Sequence, residues 1–496
     1  MKTQTNNGYY YRYSRKANAL LLVCLCILMM LVTVVKSEAA TQRPTCKQYD
    51  KDQLSAEIKK QLADGKLPLN FPASVSRFYA QHQFNASWLA KETDANQTWA
   101  AMLMIDCVLQ FGLNQVDYHP KELLYSKLHD ILERPAQVPI NQQARFEIML
   151  TDALLSFANN LHFGKFNPQY PASKIDKGNL EFDAVGLINR GMLSKDLMLT
   201  ITGAQPQNKW YQNIQDRMHI VAGVQLGDCY EFPEAEVRKM ALNMERLRWA
   251  ALDTDNYIQV NVPSYKLSFY HKGTIDTFRV VVGKPANPTP TLTSAIKYFT
   301  TTPEWKVPKK IFIKELLPKA LKDTAYLNAH HYSIYNNKGM LVDVDKTSLL
   351  KIIQTPQRYH ATQGAGCDNA LGQLVFRFAN IYDIYLHDTP LQSLFHKQNR
   401  ALSYGCIRVQ HAAKLAKLIL ENNGLGAATQ AIEKAIDGGI RKNFLLKKPV
   451  KITVTYLTCQ IVNGRLVVYD DVYGLDNNLD MMLYKKDDQT LKVTRY

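Results

Sequence analysis

At 496 residues the chain has room for two or three domains, and 46% hydrophobic with 21% charged residues is a globular composition, neither disordered nor fibrous. A net charge of +16 fits either a solvated basic surface or attraction to an anionic polymer. Zinc-finger spacing and RNA-binding aromatic motifs are both missing, which argues against nucleic acid as that polymer.

Residues 1–16 are polar and include Arg12, Arg15 and Lys16; Ala17 to Val35 is apolar and uncharged. Ser37-Glu38-Ala39 then forms a small-x-small site, so 1–40 reads as an export signal peptide. The length of the run leaves an uncleaved inner-membrane anchor open, and either reading puts the body outside the cytoplasm. Cys24 and Cys26 lack the small preceding residue of a lipoprotein site. The body carries Cys46, Cys107, Cys229, Cys367, Cys406 and Cys459, which an exported protein can pair. None has CxxC spacing, and neither a metal nor a cofactor is expected.

Thr41 to Asp64 is a polar, partly helical lead-in. From Arg77 to Pro168 the periodicity is helical: Trp99, Met102, Leu103, Ile105 and Leu109 recur until Gly112. Pro120 is expected to open a helix with Leu123, Leu124, Leu128 and Ile131. Phe146, Met149, Leu150, Ala153, Leu154, Phe157 and Leu161 form one stripe ending at Gly164, the pattern of a core-facing helix. Residues 168–233, with Pro168, Pro171, Pro206 and Pro233, read as irregular. Glu234 to Trp249 is helical again, with Val237, Met240, Ala241, Met244 and Leu247 inward. A helical scaffold over 41–249 is the expectation.

After Asp253 the period changes. Tyr257–Val262, Lys266–Tyr270 and Thr277–Val282 read as strands, with Lys272-Gly273 turning between the last two. Leu374–Phe378, Ile381–Leu386, Val450–Leu457 and Gly464–Tyr469 continue the pattern. The fold class is α+β: the scaffold, then a mostly-β domain over 250–480 as a curled sheet or sandwich, then a tail, 481–496. An insertion over 286–346, proline-rich and carrying Trp305, Lys306, Lys309 and Lys310, reads as a lid or as an ornamental insertion. Gln363 to Gly372 is glycine-rich but lacks the Lys-Ser/Thr and helix of a phosphate loop, so a tight turn is expected.

The chemistry concentrates in Ile384-Tyr385-Leu386-His387-Asp388-Thr389-Pro390 and Ala401-Leu402-Ser403-Tyr404-Gly405-Cys406-Ile407-Arg408-Val409. A thiol is a good nucleophile only as thiolate, which needs a base or a positive potential. His387, closing an apolar run, can be that base. Gly405 lets a carbonyl approach the backbone. A helix from Ala412, with Leu415, Ile419 and Leu420 on one face, would lend its dipole if Cys406 sits just ahead of it. The alternative for Cys406 is a buried, inert thiol.

His387, a gap of residues 388–402, then Ser403, Gly405-Cys406, an aliphatic residue and Arg408 resemble the catalytic domain of the L,D-transpeptidase (YkuD-type) family. One position departs: Tyr404 stands where the family has His, so the base role falls on His387. Phe78–His82, Leu113–Tyr118, Thr151-Asp152-Ala153 and Gly164-Lys165 resemble the scaffold domain of its large periplasmic branch. Thr289–Ser294 and Trp305–Pro308 resemble that branch's approach to a substrate-capping subdomain. Gln363–Gly372 resembles the loop bordering its active site, with Ala365 where proline is usual. A separate peptidoglycan-binding module often precedes the catalytic domain there; Trp210 to Glu234 is too short for one.

The resemblance implies cell-wall biogenesis in the periplasm: a tetrapeptide stem as donor, the side-chain amine of another stem as acceptor, 3-3 crosslinks, and carbapenems as inhibitors. Cys406 would be the nucleophile, His387 the base and Ser403, by side chain or carbonyl, the group orienting it. Backbone N–H groups of Tyr404, Gly405 and Cys406 would form the oxyanion hole, and Arg408, Tyr385, Asn369 and Trp305 would bind substrate. L,D-carboxypeptidase action and a catalytically dead wall-binding protein are the competing readings. Thr455-Tyr-Leu-Thr-Cys459 with Arg465 imitates sortases, but no histidine follows His411 and the stretch alternates like a strand. His360, His396 and His411 are weaker base candidates, and His330-His331 alone is weak evidence for metal.

Overall fold

The computed structural model describes residues 51–89, 95–223, 234–250, 252 and 255–484. Residues 1–40, expected to be an export signal or anchor, lie outside them with Cys46, Cys229 and residues 485–496. No helix among the described residues is long and apolar enough to cross a membrane.

Lys51 to Trp249 is helical. Its centre is the helix Ile140–Phe163, buried on all sides rather than along one stripe. The polar residues of its other faces are buried because they end neighbouring loops. The Glu147 carboxylate accepts the N–H groups of Ser87 at 2.5 Å, Trp88 at 3.1 Å and Leu89 at 3.0 Å. It also meets the Tyr79 hydroxyl at 3.2 Å. Asp152 accepts the N–H groups of Asn70 and Phe71, both at 2.9 Å, and lies 2.7 Å from His119 Nε2. Burial outweighs these donors at Glu147 and pushes its carboxyl up to about 7. Gly164 ends the helix at φ +81, where a Cβ would stand 2.6 Å from the Trp249 ring.

Two expectations shift here. The helix expected from Pro120 is Tyr125–Glu133, with Leu124 still extended as its cap. Residues 168–233, expected to be irregular, hold the helices Ala184–Leu193, Leu197–Thr202 and Lys209–Gly223. Asp183 caps the first and Asp196 the second, while Asn208 accepts the Tyr211 N–H at the start of the third. Two of the prolines, Pro171 and Pro206, mark only the joints.

The second half is built on strands β1 (Tyr257–Asn261), β2 (Lys266–His271), β3 (Thr274–Gly283), β4 (Leu292–Thr301), β5 (Trp305–Lys306), β6 (Tyr332–Asn336), β7 (Leu341–Val342) and β8 (Tyr359–Gln363). β9 (Leu374–Phe378), β10 (Leu386–His387), β11 (Ala401–Ser403), β12 (Ile407–Val409), β13 (Lys442–Thr455), β14 (Cys459–Val462) and β15 (Arg465–Val468) follow. The order β3-β12-β10-β9-β4-β13-β1-β2 closes on itself because β2 also pairs with β3. β11 attaches to the far end of β3. The curled sheet is thus a closed barrel, which leaves few strand edges. Ile258, Val260, Phe269, Phe299, Phe376, Leu386 and Ile407 fill it, and Leu415 and Ile419 of the helix Ala412–Asn422 join that core.

Ile381–Leu386 is not a buried strand. Ile381 is 91% exposed at a turn, and only Leu386 and His387 pair. The insertion is likewise displaced from 286–346: Leu292–Thr301 is a barrel strand, and the separate sheet β5-β8-β6-β7 spans Trp305 to Gln363. This cap has its own core, including Trp305, Phe312, Leu317, Ile334 and Leu349, which continues onto barrel residues Val375 and Tyr385, with Cys406 packed against it.

The two halves meet along the helix Glu234–Trp249. Asn243 accepts the Thr458 N–H at 2.7 Å, and Lys239 and Arg246 pair with Asp476 at 2.6 and 2.5 Å.

Candidate active site

β10 and β12 run parallel, with Leu386 opposite Ile407 and His387 opposite Arg408. Side chains alternate across a strand, so Tyr385, His387, Cys406 and Arg408 share one face while Leu386 and Ile407 share the other. The packing agrees. Leu386 and Ile407 sit in the barrel core; Tyr385 and Cys406 belong with the cap. A nucleophile candidate and a base candidate therefore lie together on the barrel exterior under the insertion.

His387 is 5% exposed, and its Nδ1 lies 2.6 Å from the Asp388 carbonyl. A carbonyl only accepts, so Nδ1 carries the hydrogen and Nε2 the lone pair. Burial, and then the Arg408 guanidinium, lower its pKa to about 3. The imidazole is neutral at any ordinary pH.

Cys406 is half-buried. Burial raises its thiol above the usual value, and Asp383 adds to this. The N–H and hydroxyl of Tyr385, and the Arg377 charge, oppose it. The Tyr385 ring bridges the site: its centroid is 5.7 Å from that of His387, and the Arg377 guanidinium stands 5.0 Å over it. Arg408 makes no ion pair among the described residues, and its buried Nε has no partner. Its alternative role as a loop-supporting ion pair therefore falls away.

The turn at Cys406 needs glycine, since Gly405 has φ +115. Among the described residues the N–H groups of Tyr404 and Cys406 meet no acceptor, whereas the Gly405 N–H is held 3.1 Å from Ser403 Oγ.

Comparison with known proteins finds the L,D-transpeptidase catalytic domain over residues 255–452 and the Scaffold domain over 73–218. A Haemophilus influenzae protein named "Putative L,D-transpeptidase" is 31% identical over 348 residues, which is 68% of this chain and 67% of that one. The chain belongs to the L,D-transpeptidase family.

Against the sequence expectations, the transpeptidase site differs in several places. Ser403 does not orient the imidazole; its hydroxyl donates to the Cys406 carbonyl at 2.6 Å, its carbonyl accepts the Lys284 N–H at 3.0 Å, and the Asp388 carbonyl holds the ring. Gly405 drops from the oxyanion set because its N–H is already bonded. No helix dipole reaches Cys406, because β12 intervenes before the helix Ala412–Asn422. Asn369 is fully buried, and its amide bonds the carbonyls of Gln363 and Gly364, closing its own loop rather than facing substrate. Trp305 is 8% exposed, in the cap core, and hydrogen-bonds the Tyr385 side chain instead of offering a free ring. Tyr404 points outward with Lys284 Nζ 4.0 Å over its ring.

The rival cysteine of the transpeptidase is inert. Cys459 is fully buried under the helix Glu234–Trp249, 3.7 Å from the Lys239 carbonyl, with its thiol pushed up to about 12 by burial. Cys107, Cys367, Cys406 and Cys459 are all unbonded thiols. His330 and His331 both face Asp368, at 3.0 and 4.0 Å, and no group of three potential ligands able to hold a metal occurs among the described residues. Sequence reasoning missed Arg377, although its place two residues after Val375 on β9 puts it on the same outward face.

Proposed function

We propose that this L,D-transpeptidase forms 3-3 crosslinks between peptidoglycan stem peptides in the periplasm, through an acyl-enzyme on Cys406. The observation that carries the reading is the shared face of Cys406, Tyr385, His387 and Arg408 beneath the cap.

In the proposed cycle His387 Nε2 takes the Cys406 proton as the sulfur attacks the donor carbonyl. The Cys406 and Tyr404 N–H groups meet the developing oxyanion. The intermediate collapses, the C–N bond breaks, and the imidazolium returns its proton to the departing D-alanine amine. The acceptor amine then attacks the thioester, gives its proton to His387, and the sulfur leaves and is reprotonated. Arg408, charged and in no ion pair among the described residues, supplies a site for a stem-peptide carboxylate.

The thiol and imidazole are both neutral in the free protein, which supports a base acting during attack rather than a standing ion pair. Mass spectrometry of muropeptides after incubation with disaccharide-tetrapeptide tests this. Crosslinked dimer is expected with the wild type and not with Cys406→Ala. Dimer formation by a folded Cys406→Ala variant would refute it, and release of D-alanine without dimer would make the enzyme a carboxypeptidase.

A further inference from the structure

The peptide unit between Gly405 and Cys406 is held from outside the nucleophile turn. Thr289 Oγ1 donates to the Gly405 carbonyl at 2.7 Å and accepts the Gly283 N–H at 2.9 Å. The Thr289 N–H donates to the Tyr473 hydroxyl at 3.1 Å, and that hydroxyl donates to the Gly283 carbonyl at 2.7 Å. Each hydroxyl accepts one bond and donates one, so their directions are fixed and mutually reinforcing. Thr289 is 3% exposed. Gly283 permits the closure, because a Cβ there would stand 2.1 Å from the Asn287 carbonyl.

Tyr473 is itself anchored. Its N–H donates to the Tyr456 hydroxyl at 2.7 Å, and that hydroxyl donates to Asp471 at 2.5 Å. Asp471 also accepts the N–H groups of Leu475 and Asp476 at 2.9 and 2.8 Å. Asp476 is bound to Lys239 and Arg246 of the helical half. Tyr473 lies beyond residue 452, where the catalytic-domain match ends.

We propose that Thr289 and Tyr473 are positioning residues that aim the Cys406 N–H at the oxyanion. The physical reason is the planarity of the peptide: the Gly405 carbonyl and the Cys406 N–H belong to one rigid trans unit and point in opposite directions. Holding the carbonyl fixes the N–H. Without the Thr289 hydroxyl the unit is free to rotate at Gly405, whose permissive backbone offers little resistance. The inference rests on the Cys406 acyl-enzyme reading.

The test compares Thr289→Val, Thr289→Ser and Tyr473→Phe in the full chain. Tyr473→Phe is a mild change, since the ring keeps its stacking on Tyr456 at 5.4 Å. Three quantities are measured: kcat and KM on disaccharide-tetrapeptide, the rate of carbapenem acylation, and the rate of iodoacetamide alkylation of Cys406 against pH. Alkylation needs the sulfur but forms no oxyanion. Thr289→Val and Tyr473→Phe are expected to lower kcat and carbapenem acylation roughly ten- to hundredfold. KM and the alkylation profile should stay unchanged, and Thr289→Ser should retain activity. Wild-type rates in both hydroxyl-deleting variants, alkylation falling in step with kcat, or a Thr289→Ser variant as impaired as Thr289→Val would each overturn the proposal. Failure of wild-type crosslinking would instead count against the preceding reading, and the carbapenem ratios would still decide this one.

Discussion

The ionisation of Cys406 is the sharpest quantity to measure. Burial holds its thiol above the ordinary value of about 9, while the Tyr385 N–H and hydroxyl and the Arg377 charge pull the other way. A thiol raised by burial stays protonated at neutral pH more than a free one does. Each unit is worth about 1.4 kcal/mol, so even an unperturbed thiol at about 8.5 costs about 2 kcal/mol to ionise at pH 7, and burial adds to that cost at Cys406. That deficit must be met when substrate arrives, by proton transfer to His387 and by the oxyanion donors. The assay is alkylation by iodoacetamide between pH 5 and 10, with adducts at Cys406 quantified by peptide mass spectrometry. The rate should climb through neutral pH with no plateau below pH 9. Tyr385→Phe should push the midpoint higher, because it removes a donor to the sulfur. A plateau beginning near pH 6 would mean a preformed thiolate–imidazolium pair and would refute the reasoning.

Arg408→Gln should move the acid limb of kcat/KM upward, because after burial the Arg408 charge is what depresses His387; the same variant should raise KM for stem peptides. A pH-rate profile with an unmoved acid limb would contradict this. Glu147→Leu should destabilise the helical half by about 3–5 kcal/mol, by stranding three backbone donors in a buried site, and Glu147→Gln by less; denaturant midpoints report both. The Glu147 pKa of about 7 lies above its unfolded value, so its contribution is fully present below about pH 4.5 and lost as pH rises through 7. Stability of Glu147→Gln should therefore fall less than wild type across that window. Cys459→Ala should leave transpeptidation intact, as steady-state turnover will show, since that sulfur lies beneath a helix and away from the cap.

The sequence spoke clearly wherever one local pattern decided the outcome. Phe146 to Leu161 marked the central helix, Lys272-Gly273 the hairpin, and the alternation around His387 and Cys406 the face they share. It was silent where the deciding partner was distant in the chain. Asp388 rather than Ser403 holds the imidazole because a backbone carbonyl beside the ring outcompetes a hydroxyl already committed to its own turn. The family resemblance makes Asn369 a substrate contact, yet it is its loop's internal brace. Ile381 and Tyr382 extended an apolar run without being strand, since apolarity alone does not reveal which side of a turn meets water. The helices after residue 168 were legible only through Asp183, Asp196 and Asn208, signals that the prolines masked.

The inserted sheet cannot be regarded as an accessory fastened to a finished enzyme. Its apolar interior is completed by Val375 and Tyr385 and packs on Cys406, so lifting it uncovers oil-like surface from both sides at once. Separating the two would therefore cost apolar burial on the inserted sheet and on the barrel together. Solutes that strengthen or weaken apolar burial should shift how tightly the inserted sheet holds to the barrel, even where they leave the reacting atoms untouched.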